Sequence, residues 1–154
     1  MSATLTKPSK KKPGMVATCV HHSSDEMAMR EMAPAYMIER IHAGLPIYEL
    51  AALQESLDVP MEILAAKLGI SKATLQRRKI EGRLDAVESE RVLRFARLMG
   101  KAINVFVSES NAREWLNKSQ FGLGGAVPLD YAETEIGARE VENLLGRIEY
   151  GVYS

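Results

Sequence analysis

The sequence predicts an all-α protein in which an N-terminal helical cluster is followed by a smaller helical cluster at the C-terminus. After residue 33, apolar residues recur at spacings of three and four, which is the period of a helix with one buried side. Aromatic residues make up only 6% of the chain, whereas Leu, Ala, Met and Glu are frequent, and this composition favours helices over a β-sandwich. No segment has a convincing strand pattern, and we expect the two clusters to meet near residue 86.

Residues 1–33 lack both a helical and a strand period, and we expect them to form a disordered tail. The run Lys10-Lys11-Lys12 in this tail is interpreted as solubilising, with a DNA-contacting arm as the alternative. His21 and His22 are adjacent but lack a third ligand at metal-binding spacing, so they predict no metal site.

Two helices are predicted before residue 60. The first covers residues 34–45, and its apolar side chains fall near one face: Ile38, Ile41 and Leu45. Pro46 suits the first turn of the second helix, whose leucines are spaced to face a core: Leu50, Leu53 and Leu57. Asp58-Val59-Pro60 ends this helix and begins the next one.

Residues 61–82 give the clearest signal in the chain, a short helix and a basic second helix joined by a glycine turn. Ala65 is a small residue at the position where the two helices would cross closely, and Gly69 can adopt the left-handed backbone of the turn. Apolar residues beside the turn and in the second helix would hold the pair together: Leu64, Leu68, Ile70 and Leu75. This spacing predicts a helix-turn-helix unit.

The second of these helices is rich in residue types that contact DNA. Ser71 can cap it, Gln can read adenine, Arg can read guanine, and Lys, Ser and Thr can reach phosphates. The predicted DNA-binding residues are Ser71, Lys72, Thr74, Gln76, Arg77, Arg78 and Lys79. Arg78 and Lys79 are expected at the DNA backbone, with pairing to acidic residues as the alternative. The alternative for the whole segment is an ordinary helical hairpin with a solvated basic face.

The charge distribution supports the DNA-binding interpretation. The net charge is zero, but residues 60–101 hold ten Lys and Arg against five Asp and Glu, whereas residues 102–154 hold four against eight. A basic block confined to one stretch is the expected footprint of a nucleic-acid contact.

Two further helices are predicted after the helix-turn-helix segment. Residues 87–107 form a long amphipathic helix with one apolar stripe: Val92, Phe95, Leu98, Met99 and Ile103. Ser110 can cap a following helix, in which Trp115 and Leu116 are expected to be buried.

The remaining segment begins with the glycine-rich residues 121–125, for which we predict a plain loop. A phosphate-binding loop would need a preceding strand and a following Lys-Ser or Lys-Thr pair, and both are absent from the sequence. Pro128 opens a short helical turn, and residues 138–149 form the final helix, which Gly151 ends.

The sequence lacks the signatures of an enzyme. It has no P-loop, nucleophile elbow, HExxH motif or cysteine pair, and its single cysteine, Cys19, lies in the predicted tail. We therefore expect no catalytic residue, no metal and no cofactor. No apolar run approaches the roughly 20 residues needed to cross a bilayer, and no secretory signal is recognised, so the expected location is the cytoplasm.

Three strings in the C-terminal part carry a family resemblance: AREWL at residues 112–116, FGLGGAVPLD at 121–130 and TEIGAREVENLLGRIEYG at 134–151. They resemble the toxin-binding domain of the Xre/MbcA/ParS antitoxin family, whose members place a helix-turn-helix unit before this domain. The resemblance covers about residues 34–154. It implies three parts, a tail at 1–33, a DNA-binding domain at 34–86 and a toxin-binding domain at 87–154.

The resemblance implies a function. A similar protein would be the antitoxin of a type II toxin–antitoxin system, a homodimer that neutralises a RES-domain, NAD-directed toxin and represses its own operon. In this family the C-terminal end lies at the toxin active site. The implied toxin-binding residues are Glu149, Tyr150, Gly151, Val152, Tyr153 and Ser154. The alternative is a stand-alone dimeric repressor whose C-terminal domain only dimerises, and a small enzyme is disfavoured.

Overall fold

The computed structural model describes residues 14–21 and 32–151, and the prediction of an all-α fold is confirmed for these residues. The N-terminal helices are α1 (Met15–His21), α2 (Pro34–Ala43), α3 (Tyr48–Leu57), α4 (Met61–Lys67) and α5 (Lys72–Glu81). They are followed by α6 (Ala86–Phe106), α7 (Glu109–Leu116), a 3-10 turn (Phe121–Leu123), α8 (Pro128–Tyr131) and α9 (Glu135–Glu149). In this part of the chain the β-pairing is limited to one bridge between Pro46 and Arg83.

The 21-residue helix α6 is the centre of the fold. It begins with a capping box between Asp85 and Glu88, in which each side chain accepts a hydrogen bond from the backbone amide of the other residue. It packs against α1, α2, α3, α7 and α9. Its buried residues join those of the earlier and later helices in one hydrophobic core: Val92, Leu93, Phe95, Ala96, Leu98, Met99 and Ala102. The two predicted clusters therefore share a helix and a core.

Helix α1 differs from the prediction, because it lies within the segment that we expected to be disordered. Val16 and Val20 are buried, and the helix packs on α6 and α3. The carboxylate of Glu49 in α3 accepts hydrogen bonds from the backbone amides of Met15 and Val16, at 2.9 Å each. The prediction of disorder is wrong for residues 14–21, and the other residues of the tail up to 31 lie outside the described part.

Gly100 allows α1 to approach α6 closely. A Cβ atom at this position would lie 2.2 Å from the backbone oxygen of Cys19, which is far inside van der Waals contact. The helix is only seven residues long, so its apolar residues show too little of a period to be recognised in the sequence. Its position depends on contacts with Glu49 and Gly100, which are distant in the chain.

Val107, which ends α6, has a strained backbone, and relieving this strain should stabilise the protein. Its φ of 58° lies in the left-handed region, which costs a β-branched residue about 1–2 kcal/mol. The side chain is exposed, so its replacement removes no core contact. We expect Val107→Asn to raise the free energy of unfolding by about 1 kcal/mol, measured by urea denaturation.

Val87→Asn is the matched control for this prediction, because Val87 is an exposed valine in the same helix with an ordinary backbone. The control should not stabilise the protein. Equal effects of the two substitutions would show that the backbone of Val107 stores no strain.

Candidate functional site

Helices α4 and α5 form the predicted helix-turn-helix, and the turn between them has the expected geometry. Gly69 has a φ of 72°, and the backbone amide of Ile70 donates to the oxygen of Ala65 at 2.8 Å. A Cβ at Gly69 would also lie 2.4 Å from a guanidinium nitrogen of Arg91, which donates to the backbone oxygen of Leu68 at 2.9 Å. The backbone angle therefore favours glycine, whereas the contact with the flexible end of Arg91 could be relieved by a small shift of that side chain.

The start of α5 confirms the predicted cap and anchor. Ser71 Oγ accepts a hydrogen bond from the backbone amide of Thr74 at 3.2 Å, and Ser71 Oγ lies 3.0 Å from Thr74 Oγ1. Leu75 is buried among the other helices. Together these contacts fix which side of α5 faces outward.

Most of the predicted DNA-binding side chains lie on this outward side. Those of Lys72, Gln76, Arg77 and Lys79 are exposed, as is that of Ser71, while Thr74 is half-buried. Arg77 has only a loose pairing with Glu81, whose carboxylate lies 3.9 Å away. Within the described residues, the side chains of Lys72, Gln76 and Lys79 form no hydrogen bond or ion pair, so they are available to a ligand.

Arg78 differs from the other members of the predicted set, because three carboxylates surround its guanidinium group. It donates to Glu88 at 2.7 Å, to Glu81 at 3.1 Å and to Asp85 at 3.1 Å. The hydrogen bonds to Glu88 and then to Glu81 raise the pKa of Arg78 further above its ordinary value. The alternative of pairing with acidic residues is confirmed.

This arrangement gives Arg78 a structural role. Glu88 is itself buried and belongs to the capping box of α6, so Arg78 ties α5 to the start of the central helix. We therefore propose that Arg78 positions α5 on α6, while its predicted contact with DNA stays a prediction. The signal in the sequence was the row of acidic residues three, seven and ten positions further along.

The C-terminal helices build a second surface. Thr134 caps α9, and Gly137 lets its first turn approach α8, since a Cβ there would lie 1.6 Å from the oxygen of Tyr131. Helix α9 buries Ala138, Val141 and Leu145 against the core. Its opposite side is exposed along a row with helical spacing: Ile136, Glu140 and Asn143.

The predicted toxin-binding residues lie at the end of α9. Glu149, Tyr150 and Gly151 are exposed, and the side chain of Tyr150 is 81% accessible. Tyr150 borders a shallow depression with the following residues: Lys101, Glu142, Asn143, Gly146 and Arg147. The predicted residues Val152, Tyr153 and Ser154 lie outside the described part of the chain.

Polar contacts connect the helix-turn-helix with the C-terminal helices. Lys67 at the end of α4 forms an ion pair with Asp130 in α8. Arg94 in α6 donates to the backbone oxygen of Glu133 at 3.3 Å.

Trp115, which we expected in the core, is half-buried, and its ring centroid lies 5.5 Å from that of Phe106.

Residues 14–21 and 32–151 contain neither a metal-binding cluster nor a membrane-spanning helix. No group of three or more His, Cys, Asp or Glu side chains in these ranges could hold a metal ion. No helix in the same ranges combines the length and the apolar character needed to cross a membrane.

Comparison with known families gives two matches that together cover most of the described chain. Residues 37–97 match the antitoxin Xre-like helix-turn-helix domain, and residues 101–151 match the antitoxin Xre/MbcA/ParS C-terminal toxin-binding domain. The matches meet inside α6, whereas we expected a boundary near residue 86, at the start of this shared helix.

Three curated proteins are similar over most of their length. An Antitoxin Xre from Yersinia enterocolitica is 33% identical over 120 residues, which are 77% of this chain and 81% of that protein. An Antitoxin Xre from Photorhabdus laumondii is 33% identical over 116 residues, 74% of this chain and 78% of the relative. A protein named Prs ADP-ribosylating antitoxin from a Sphingobium species is 26% identical over 138 residues, 82% of this chain and 86% of that protein.

Proposed function

Since this chain belongs to the Xre family of type II antitoxins, we propose that it neutralises a RES-domain toxin by direct contact and represses its own operon. The observation that carries the proposal is the presence of two separate exposed surfaces in one chain. One is the outward side of α5 in the helix-turn-helix, and the other is the exposed side and end of α9 in the toxin-binding domain.

In the proposed DNA complex, α5 enters the major groove. Gln76 and Arg77 read base edges, while Ser71, Lys72, Thr74 and Lys79 contact phosphates and fix the register. One such unit buries little surface, so we propose a homodimer that binds two operator half-sites.

In the proposed toxin complex, the segment from Glu149 to Ser154 blocks the NAD site. The acidic balance of residues 102–154 would steer this domain towards a basic pocket, and Tyr150 is an exposed aromatic at the start of the blocking segment. The name of the Sphingobium relative refers to ADP-ribosylation, a reaction that consumes NAD, which supports an NAD-directed partner.

Co-expression in bacteria tests the proposal. We expect the full-length chain to restore growth and the cellular NAD level when the toxin encoded beside it is induced. The same chain should repress a reporter placed behind its own promoter. Repression without any rescue would contradict the toxin-neutralising function and leave a stand-alone dimeric repressor.

The outward side of α5 gives a prediction for operator binding. We expect Gln76→Ala and Arg77→Ala each to weaken specific operator binding by about 1–3 kcal/mol, because each removes a base contact. Toxin binding should be unchanged. The measurement is a titration of labelled operator at fixed salt, since salt alone changes the affinity strongly.

Arg139→Ala is the matched control for Arg77→Ala, because both arginines are exposed and pair with a glutamate in their own helix. This control should bind the operator like the wild type. If both α5 variants also retain wild-type affinity, the proposed recognition side of α5 is wrong.

A further inference from the structure

Phe121 is an exposed aromatic residue that the proposed function does not use. It begins the 3-10 turn between α7 and α8, and 97% of its side chain is accessible, which is the highest fraction among the large apolar side chains that the structure describes. A large aromatic ring buries much apolar surface when it enters a partner, and such burial is favourable. The turn therefore presents a ring that is available for burial in a complex.

Backbone hydrogen bonds hold this turn in place. The amides of Leu123 and Gly125 donate to the oxygen of Gln120 at 3.1 and 2.9 Å, and the amide of Gln120 donates to Ala126 at 3.0 Å. The side-chain amide of Gln120 donates to the backbone oxygen of Trp115 at 3.0 Å. Leu123 is buried in the core beneath the turn. Phe121 is thus exposed from a loop with a fixed backbone, and little backbone entropy is lost when its ring is bound.

The turn also lies directly against α9. A Cβ at Gly122 would come within 2.7 Å of Leu144 Cδ1, so the backbone of the turn touches that helix. On α9 the neighbouring outer side carries Ile136, which is 78% exposed, and ends at Tyr150. The turn that carries Phe121 therefore packs on the helix whose exposed side runs to the proposed blocking segment.

We propose that Phe121 is an anchor for the cognate toxin, with its ring buried in an apolar hollow on the toxin beside the outer side of α9. This inference rests on the proposed function and adds a contact separate from the segment that blocks the NAD site. The toxin is the favoured occupant because the turn lies within the matched toxin-binding domain and adjoins the surface that ends at Tyr150. DNA is disfavoured, since residues 102–154 carry an acidic balance.

The test compares Phe121→Ala with the wild type in a titration with purified toxin. A buried aromatic anchor is a typical hot spot, so we expect the dissociation constant to rise on the order of tenfold to a hundredfold. Saturating concentrations of the variant should still inhibit the toxin fully, because its blocking segment is intact. The melting temperature should not change, since the side chain makes almost no contact within its own chain.

Ile80→Ala is the control, because Ile80 is a large apolar residue of the helix-turn-helix that is 87% exposed. The toxin affinity of this variant should stay within twofold of the wild type. If the dissociation constant of Phe121→Ala for the toxin also stays within twofold of the wild type, Phe121 is not an anchor. The proposed function remains intact in that case, provided that the wild type binds and inhibits the toxin. Failure of the wild type to bind the toxin would reject both. A change in self-association with unchanged toxin affinity would assign Phe121 to an interface between two copies.

Discussion

Replacing Glu49 with alanine is expected to raise the reaction rate of the Cys19 thiol with an aromatic disulfide by about a hundredfold at pH 8. The carboxylate of Glu49 accepts hydrogen bonds from the first two amides of α1, and the substitution leaves both without a partner. An unpaired buried amide costs about 1–3 kcal/mol, and a total of about 2.7 kcal/mol is a hundredfold change in the release of α1.

Cys19 reports this release because it is the single cysteine of the chain and lies within α1. Burial raises the pKa of its thiol from 9.0 to about 11, so the docked form contains almost no reactive thiolate at pH 8. Labelling therefore proceeds through the released helix, and its rate follows the fraction of molecules in which α1 is undocked.

Glu62→Ala is the control for this experiment, since Glu62 is exposed at the start of α4. Its labelling rate should equal that of the wild type. A slow rate in both variants would mean that α1 stays docked through its apolar contacts alone. Gly100→Leu then gives a second measurement, because a side chain there collides with the backbone of Cys19.

Ending the chain at Glu149 is expected to abolish rescue from the toxin while leaving operator affinity unchanged. The deletion removes the proposed blocking segment, but α9 keeps the side chains that join it to the core, including Val141 and Leu145. Tyr150 is exposed, so its loss removes little packing. The measurements are growth and cellular NAD during toxin induction, together with an operator titration.

Lys72→Ala in the full-length chain is the opposing control for the truncation. It should weaken DNA binding by removing a phosphate contact, and it should still rescue growth. Rescue by the truncated chain would move the inhibitory contact into the body of the domain. In that case the surface formed by Phe121 and α9 would be the next place to look for it.

The helix-turn-helix could be predicted because its determinants act over short distances in the sequence. Ile70 bonds back to Ala65, and Ser71 caps the amide of Thr74, so a window of about ten residues contains the whole turn. The exposed side of α5 followed from the inward direction of Leu75.

The features that sequence reasoning missed depend on contacts between distant segments. Helix α1 is placed by Glu49 and Gly100, more than thirty and eighty residues away. The carboxylates around Arg78 were visible in the sequence, but their meeting depends on Gly82, whose φ of 78° turns the chain back towards α6. The exposure of Phe121 depends on how the turn packs on α9, and the local sequence does not predict this packing.

The shared helix α6 has a thermodynamic consequence. Arg78 joins α5 to the first turn of α6, while α9 packs on the same helix and Asp130 of α8 is paired with Lys67 of α4. Two ligands that bind different surfaces of one protein affect each other's binding reciprocally. If bound toxin changes the affinity of the chain for promoter DNA by some factor, bound promoter DNA changes its affinity for the toxin by the same factor. Under the proposed function, a factor other than one would tie transcription to the toxin level through this single chain.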